Sequence, residues 1–385
     1  MIDEVEVTNF KRFSRLAVRL GRLSLLTGVN SGGKSSVIQA LLLLHSDRLP
    51  GGAVPLNGPH GLALGEASDV LNSNAASSTI EISIGIGGDR GSLVLEVPHE
   101  RSPSLSAVHV DLPEELARMT GRERGFVYLS AERLGPRDLQ EVAVDFEDDL
   151  SVGTRGEFTA HVLTQLGREP VDLVRQHPDT GSSGGIVTLN SQTELWMSSI
   201  VSPIQIEATW LAGTNAAMVR FRPPNLLTEW LRPANVGFGV SYALPIVVAG
   251  LTSPPEGLLV VENPEAHLHP AGQSAMGRFL ARVAASGTQV LVETHSDHVI
   301  DGVRRAVGVD RTIPAEVNWI GSAVHREKRC YRGQETVARV HNLGKPPRRL
   351  VRLHLDGSDD RLPSRGDALT LDGRTVGFVG TVVQH

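Results

Sequence analysis

The stretch that decides the fold is GVNSGGKS, residues 28–35. It fits the pattern G-x4-G-K-[ST], which by itself can arise by chance. Here the apolar segment 23–27 precedes it and predicts a short strand, while the apolar segment 35–44 predicts a buried helix. A strand, a glycine-rich loop and a helix in this order form a phosphate-binding unit, because the loop amides and the helix N-terminus face one anion.

The side chains of this loop indicate a nucleotide and a metal ion. Lys34 is expected to bridge the β- and γ-phosphates of ATP, and the Ser35 hydroxyl to bind Mg²⁺. The alternative is an ordinary glycine-rich turn, but Lys34 is one of only 4 lysines in the chain, and the flanking segments agree with a phosphate loop. The predicted nucleotide-binding residues of the loop are Gly28, Asn30, Ser31, Gly32, Gly33, Lys34, Ser35 and Ser36.

A phosphate loop requires a second element, a buried strand that ends in a carboxylate. Residues 257–261 predict that strand, and Glu262 follows as the expected Mg²⁺-side carboxylate. The next position commonly supplies the base that orients the attacking water, but here it is Asn263. Asparagine can position a water molecule but cannot take its proton. Glu265 is therefore the nearest carboxylate that could act as the base.

Three histidines near these strand ends have alternative interpretations. His267 and His269 could bind a metal, but no third His or Cys ligand is clustered nearby, which favours capping of the following helix or a subunit contact. His295 follows the strand predicted at 289–293. It suits a sensor of the γ-phosphate, and a purely structural histidine is the alternative.

Composition limits the classes of protein to be considered. With 385 residues, 40% hydrophobic, the chain can form a sizeable core and more than one domain. It has no apolar run of about 18 residues and no signal peptide, so we expect no membrane span. The single cysteine, Cys330, excludes an intramolecular disulfide framework, and a cytoplasmic, soluble protein is predicted.

Strands alternate with helices along most of the chain, which predicts an α/β fold with a mostly parallel sheet. Segments 79–86 and 92–97 add an antiparallel pair, and residues 150–235 predict an insertion of helices and loops. The net charge is −6, but residues 311–385 hold 13 basic and 8 acidic side chains. Because this tail is also β-like, we predict a domain boundary near residue 310. The acidic main body argues against strong non-specific binding to nucleic acid.

Three segments carry a resemblance to a known family. GVNSGGKSS, VENPEAHLHPAGQ and VETHSDHVI, in that order, resemble the compact P-loop ATPases related to ABC, SMC, RecF and the overcoming-lysogenization-defect class, over most of residues 1–307. The resemblance implies an ABC-type head that binds ATP with Mg²⁺. The start TNFKRF is also similar to that family, in which basic residues approach the nucleotide. Lys11 and Arg12 stand at the matching positions.

The family resemblance further implies a homodimer that closes on ATP. Each head would present a signature segment to the other, and residues 235–241, NVGFGVS, are the candidate. Gly239 fits the family glycine, whereas Gly237 stands where serine is usual, so contact with phosphate could use Ser241. The implied function is a slowly hydrolysing switch for an effector protein or DNA. Because Asn263 replaces the family's catalytic glutamate, a non-hydrolysing ATP-binding scaffold is the alternative.

A second resemblance covers residues 311–385. The segment 328–335, KRCYRGQE, resembles the K-G-C-Y-x-G-Q-E motif of YgfZ-type folate-binding proteins, with Arg329 in place of the glycine. That family acts in iron–sulfur protein maintenance, so a folate-linked maintenance factor is a further alternative function. The folate pocket of the family lies mostly in a part without a counterpart here. We therefore expect a small, β-rich, truncated segment that binds no folate, with Cys330 either a reactive thiol or an inert half-buried residue.

Overall fold

The computed structural model alternates strands and helices through the first 307 residues, as the sequence predicted. It describes residues 1–28, 32–46, 52–58, 61–113, 116, 125–143, 150–182, 187–224, 229–307, 368–371 and 374–378. The strands are β1 Ile2–Phe10, β2 Phe13–Arg19, β3 Leu23–Leu26, β4 Ala53–Pro55, β5 Thr79–Ile86, β6 Asp89–Glu96, β7 Ser104–Asp111, β8 Phe126–Leu129, β9 Gln140–Glu141, β10 Gln205–Trp210, β11 Ala216–Arg222, β12 Leu258–Glu262, β13 Gln289–Glu293, β14 Ala368–Leu371 and β15 Arg374–Phe378. The helices are α1 Lys34–His45, α2 Ala67–Val70, α3 Thr159–Leu166, α4 Leu189–Ile200, α5 Phe238–Thr252, α6 Pro270–Ala285 and α7 Asp297–Ala306. None of the helices in these ranges is long and apolar enough to cross a membrane.

The strand before the glycine-rich loop belongs to a parallel sheet. Its order is β3-β13-β12-β8, and each neighbouring pair runs parallel. The strands are apolar runs, such as the LLVV at the start of β12, because both faces of this sheet are covered. Parallel strands end at the same edge, so the residues after β3, β12 and β13 are brought together.

The same unit of the chain contains a larger, antiparallel sheet. Among the described strands its order is β2-β1-β5-β6-β7-β4. The predicted pairing of 79–86 with 92–97 is confirmed, since β5 and β6 pair from Thr79–Glu96 to Ile86–Asp89. The predicted α/β class, with parallel and antiparallel sheets, is confirmed as well. Strands β2, β4 and β7 were not predicted, because they are short or have only a weak alternation of apolar and polar residues.

Two apolar cores lie on opposite faces of the parallel sheet. Leu259 and Val261 point into a core shared with α5, α6 and the inserted region. Leu258 and Val260 point into a second core shared with α1 and the antiparallel sheet. This alternation follows from the period of two along a strand. Helix α1 therefore packs between the two sheets. This packing holds the N-terminus of α1 at the edge where the parallel strands end.

The predicted insertion at 150–235 contains helices and irregular segments, and also strands that were not predicted. Strands β10 and β11 form an antiparallel hairpin that is joined by β9. Within this insertion Pro178–Ser182 forms a 3-10 turn. The inserted helices α3 and α4 contribute buried side chains to the first core, so this region is part of the same unit.

The chain divides into two compact units, Met1–Asp310 and Arg311–His385. In the second unit the described residues form an antiparallel hairpin, β14–β15. The motif at 328–335, with Arg329 and Cys330, lies outside the described residues, and the resemblance of this segment stays a prediction.

Candidate functional site

The phosphate loop leads directly into α1. Gly33 is the N-cap residue of the helix and has φ 91°, a left-handed conformation that glycine adopts without strain. A Cβ at this position would lie 2.2 Å from Cζ of Phe13. Both observations require glycine here. Gly28 also has positive φ, 140°, while the predicted ligands Asn30 and Ser31 lie outside the described residues.

The first two residues of α1 contact a carboxylate that the sequence argument did not select. The Ser35 hydroxyl donates to Glu293, with Oγ 3.0 Å from Oε2 and 3.3 Å from Oε1. The Lys34 ammonium lies 3.8 Å from Glu293 Oε1 and donates to the carbonyl oxygen of Gly28 at 3.2 Å. The Lys34 and Glu293 side chains are each only 9% exposed. Glu293 is therefore the acidic partner of the phosphate loop in this structure.

Strand order explains why Glu293 holds this position. β13 lies between β3 and β12, so its end is nearer to the loop that follows β3. Glu293 and Glu262 are direct partners in the register of the two parallel strands. The sequence did carry a signal, because Glu293 is a carboxylate at the end of an apolar strand directly before Thr-His-Ser. It was missed because sequence does not state which strands are neighbours.

Glu262, the predicted metal-side carboxylate, makes different contacts. Its Oε2 accepts the N–H of Ala131 at 3.0 Å, and the Tyr128 hydroxyl also hydrogen-bonds to it. Burial raises the pKa of Glu262, and the charge of Glu293 adds to that rise. The hydrogen bonds from Ala131 and Tyr128, and the charge of Arg133, act in the opposite direction. Burial likewise raises the pKa of Tyr128 well above its usual range, with the Glu262 charge adding to it.

Asn263 is held in an uncommon conformation at the end of β12. Its φ is 44°, in the left-handed region that asparagine tolerates better than most residues. Its N–H donates to the carbonyl of Glu293 at 2.8 Å, and its carbonyl accepts from Arg133 Nη2 at 2.7 Å. The side-chain Oδ1 is buried without a hydrogen-bond partner among the described residues. Such an atom is costly unless a ligand or water molecule completes it.

Glu265 and His295 are in direct contact. The two carboxylate oxygens of Glu265 accept from the Thr294 hydroxyl and from the backbone N–H of His295, each at 2.7 Å. Glu265 thereby anchors the segment after β13. The His295 residue itself is exposed. The structure brings the predicted base and the predicted sensor together, and it shows Glu265 already engaged by two donors.

The two basic residues near the N-terminus, Lys11 and Arg12, contact different groups. The Lys11 ammonium donates to Gln39 Oε1 on α1 at 2.7 Å. Burial lowers the pKa of Lys11, partly opposed by the charge of Asp69. The side chain of Arg12 lies against the phosphate loop, since its Cδ would be 3.2 Å from a Cβ at Gly33. Arg12 is thus the one of this pair that lies beside the loop.

The predicted signature segment surrounds the start of α5. Gly239 is buried, and a Cβ there would lie 2.7 Å from the carbonyl oxygen of His267. Gly237 is the N-cap residue of α5 and is exposed, as is the Phe238 side chain. Ser241 lines a small pocket with residues that include Arg137. Gly239 therefore permits close packing within the chain, whereas Gly237 and Phe238 form the exposed surface of the segment.

The histidines after Asn263 have structural contacts. His269 is the N-cap residue of α6, and its Nδ1 accepts the N–H of Ala271 at 3.4 Å. The ring of His267 lies 4.5 Å from that of Tyr242 and 5.6 Å from that of Phe238, measured between centroids. Within the part of the chain that the structure describes, no three His, Cys, Asp or Glu side chains are grouped as a metal site.

The residues at the strand ends fit a magnesium nucleotide. Mg²⁺ prefers oxygen ligands and usually takes only one or two carboxylates together with phosphates and water. The Ser35 hydroxyl and the Glu293 carboxylate already meet, and Glu262 stands on the adjacent strand. The buried, unpartnered Oδ1 of Asn263 offers another oxygen. Sulfur and imidazole ligands are absent from this set, as a magnesium site requires.

Comparisons with known proteins agree with an ATPase segment. Residues 213–301 match the family model described as "AAA domain, putative AbiEii toxin, Type IV TA system". This AAA-type segment includes β12, β13 and the residues that follow them. No curated protein matches the chain.

Solved structures similar to this chain include heads of SMC proteins. An SMC head bound to the C-winged helix domain of ScpA is 11% identical, with a TM-score of 0.48, and 78% of this chain and 91% of that chain are covered. The SMC head domain from Thermotoga maritima is 12% identical, with a TM-score of 0.38 and the same two coverages. A third, an Smc head with an extended coiled coil bound to the C-terminal domain of ScpA, derived from Pyrococcus furiosus, is 11% identical, with a TM-score of 0.48 and again the same coverages.

Proposed function

We propose that this chain is a Mg²⁺-dependent ATP-binding protein that hydrolyses ATP slowly. The observation that carries the proposal is the meeting of Lys34 and Ser35 with a buried carboxylate, Glu293, at the edge where the parallel strands end. This places a cation, a hydroxyl and an acid around a loop whose Gly33 opens a helix. Few functions other than phosphate binding require these groups together.

Different groups of the chain would bind different parts of the Mg²⁺–ATP complex. The N-terminus of α1, which carries the positive end of the helix dipole, faces the phosphate position. Lys34 turns from the carbonyl of Gly28 toward the phosphates, and Ser35 stays beside Glu293. Mg²⁺, when bound, offsets the negative charge of the β- and γ-phosphates. Arg12 adds positive charge at the same loop.

Slow hydrolysis follows from the residues that face the attacking water. Asn263 Oδ1 can accept a hydrogen bond from that water but cannot remove its proton. Glu265 is the candidate base, and His295 the candidate γ-phosphate sensor beside it. In single-turnover assays, Glu265→Gln is expected to slow hydrolysis more than Glu262→Gln. Turnover unaffected by both substitutions would contradict this site assignment, whereas no turnover in the wild-type protein would favour the non-hydrolysing scaffold.

The biological role that we propose is a nucleotide-dependent switch. Two copies would close on ATP and open on hydrolysis, and the change would control an effector protein or DNA. The support for this is the exposed start of α5, where Gly237 and Phe238 are accessible to a second copy. Sedimentation with and without ATP tests the association, and a protein that remains monomeric in both conditions excludes this role.

Calorimetric titration with ATP and Mg²⁺ tests the proposed binding. Lys34→Ala is expected to abolish binding, because it removes the cation that faces the phosphates. Arg90→Ala is the matched control: it also removes one positive charge, but its partner is Glu4 on the antiparallel sheet. ATP binding that survives Lys34→Ala contradicts the proposal.

A further inference from the structure

We propose that Glu293, from the strand next to the phosphate loop, is a magnesium-binding carboxylate of this chain, acting together with Ser35. This inference rests on the proposed ATP-binding function and deepens it. It assigns the metal to the end of β13, in addition to the end of β12, where the strand-end pattern placed it.

The contacts of Glu293 carry the inference. Both of its carboxylate oxygens lie within hydrogen-bonding distance of the Ser35 hydroxyl, at 3.0 and 3.3 Å. Ser35 is the residue whose hydroxyl binds Mg²⁺ in a loop of this pattern. A carboxylate that touches this hydroxyl is already within reach of a cation bound to it. Glu262 instead directs Oε2 to the backbone of Ala131.

The burial of Glu293 also demands a cationic partner. A buried carboxylate is costly unless a cation or several donors compensate it. In this structure Lys34 lies 3.8 Å away, too long for a direct hydrogen bond. When phosphates draw Lys34 toward themselves, Glu293 keeps the Ser35 hydroxyl but loses the nearby positive charge. A divalent cation held by Glu293 and Ser35 would replace the lost charge.

The position of Glu262 agrees with one shared cation. Glu262 and Glu293 are in register on adjacent parallel strands, so their side chains leave the sheet on the same face. Two neighbouring carboxylates repel each other unless a cation lies near both. Asn263 reinforces the arrangement, because its N–H donates to the carbonyl of Glu293 and couples the two strand ends.

A different role for Glu293 makes an opposite prediction. If Glu293 only neutralises Lys34, it competes with the phosphates, and removing its charge strengthens nucleotide binding with or without metal. If Glu293 binds the metal, removing its charge reduces the gain in affinity that the metal confers. Glu293→Gln distinguishes these roles, because it keeps an oxygen for Ser35 and removes the charge.

The experiment measures ATP affinity of the full chain in EDTA and in excess Mg²⁺, together with binding of Mn²⁺ by paramagnetic resonance in the presence of ATP. For Glu293→Gln we expect the gain from Mg²⁺ and the affinity for Mn²⁺ to fall at least about tenfold, with ATP affinity in EDTA unchanged or higher. Glu293→Asp, which keeps the charge, is expected to retain part of the gain. A Glu4→Gln variant, on the antiparallel sheet, is the matched control.

The outcomes separate this inference from the proposed function. A wild-type gain from Mg²⁺ and wild-type Mn²⁺ affinity in folded Glu293→Gln overturn the inference while ATP binding stands. If Glu293→Gln does not fold, Glu293→Ala is measured instead, and wild-type Mn²⁺ affinity in that variant overturns the inference equally. Absence of ATP binding by the wild-type chain overturns the proposed function, and with it this inference.

Discussion

Arg133 donates a hydrogen bond from Nη2 to the carbonyl oxygen of Asn263 at 2.7 Å and so holds the residue that follows β12. The same guanidinium donates to the carbonyl of Glu262 at 2.7 Å. Two further carbonyl oxygens, from Ser130 and Tyr242, accept from it. Burial lowers the pKa of Arg133 to about 10, with the nearby tyrosines and glutamates opposing that change. One buried side chain therefore joins the end of β12 to the segment after β8 and to α5.

Replacement of Arg133 should reduce stability strongly. In Arg133→Met the apolar stem remains, but four partly buried carbonyl groups lose their donor, and a fully buried unsatisfied group costs about 1–3 kcal/mol. Because relaxation recovers part of this, we expect a loss of at least about 2 kcal/mol in the free energy of unfolding, measured by urea denaturation. Arg137→Met, a nearby control substitution, should change the free energy of unfolding by less than about 0.5 kcal/mol. Equal effects of the two substitutions would refute this role.

Gly33 should not tolerate a side chain. Alanine would place Cβ 2.2 Å from Phe13 Cζ and would have to adopt φ 91°. The backbone strain costs about 1–3 kcal/mol and the Phe13 ring would have to move, so Gly33→Ala is expected to destabilise the protein and to abolish ATP binding. Gly237→Ala is the control, because that glycine has φ −60° and no atom within 4 Å of an added Cβ. The free energy of unfolding of Gly237→Ala should fall by less than about 1 kcal/mol.

Asn263 offers a test by gain of activity. An aspartate in its place would keep an oxygen at the buried Oδ1 position, tolerate positive φ and add a group that can take a proton. We expect Asn263→Asp to raise the single-turnover rate of ATP hydrolysis about tenfold or more. Asn263→Ala removes the oxygen and should lower the rate. A rate that is the same in all three proteins would show that this position does not face the attacking water.

Gly237 offers a test of the switch. Serine at this N-cap can accept an N–H of the first turn of α5, which stabilises the helix by a few tenths of a kcal/mol relative to glycine. Because Gly237 is exposed, Gly237→Ser should also tighten ATP-dependent association, as measured by sedimentation across a range of protein concentrations. Gly237→Ala supplies no hydroxyl and should not do so. Association that is equally strong in both variants would place the contact elsewhere.

The inserted region should make stability depend on pH through His177. Burial lowers the pKa of His177 below its ordinary value of 6.5, while the charge of Asp179 opposes this and nearby arginines add to it. The unfolded chain therefore binds this proton at a higher pH than the native chain. The contribution of neutral, buried His177 to the free energy of unfolding is fully present above about pH 6.5. It is lost as the pH falls toward the lower pKa of the native state.

Urea unfolding from about pH 7.5 to about pH 5.5 checks this, with His177→Gln as the variant that cannot titrate. The free energy of unfolding should fall less over this range in His177→Gln than in the wild type. A decline that is identical in the two proteins would assign the pH dependence to other groups.

The sequence by itself determined the local units of this protein. The order of apolar strand, glycine-rich loop and apolar helix predicted β3 and α1 almost to the residue, and the same held for β5, β12 and β13. These predictions succeeded because the period of apolar residues and the conformational freedom of glycine act over a few neighbouring residues. The motifs around Lys34 and Glu262 were visible for the same reason.

Only the tertiary structure decided which of these units meet. Strand order depends on long-range pairing, and it placed β13 beside β3, so that Ser35 contacts Glu293. Packing around α5 buried Gly239 against His267 and left Gly237 exposed, which the pattern of the segment could not distinguish. Side chains distant in sequence share a site only after the chain has folded, and their partners are set by the geometry of the sheet.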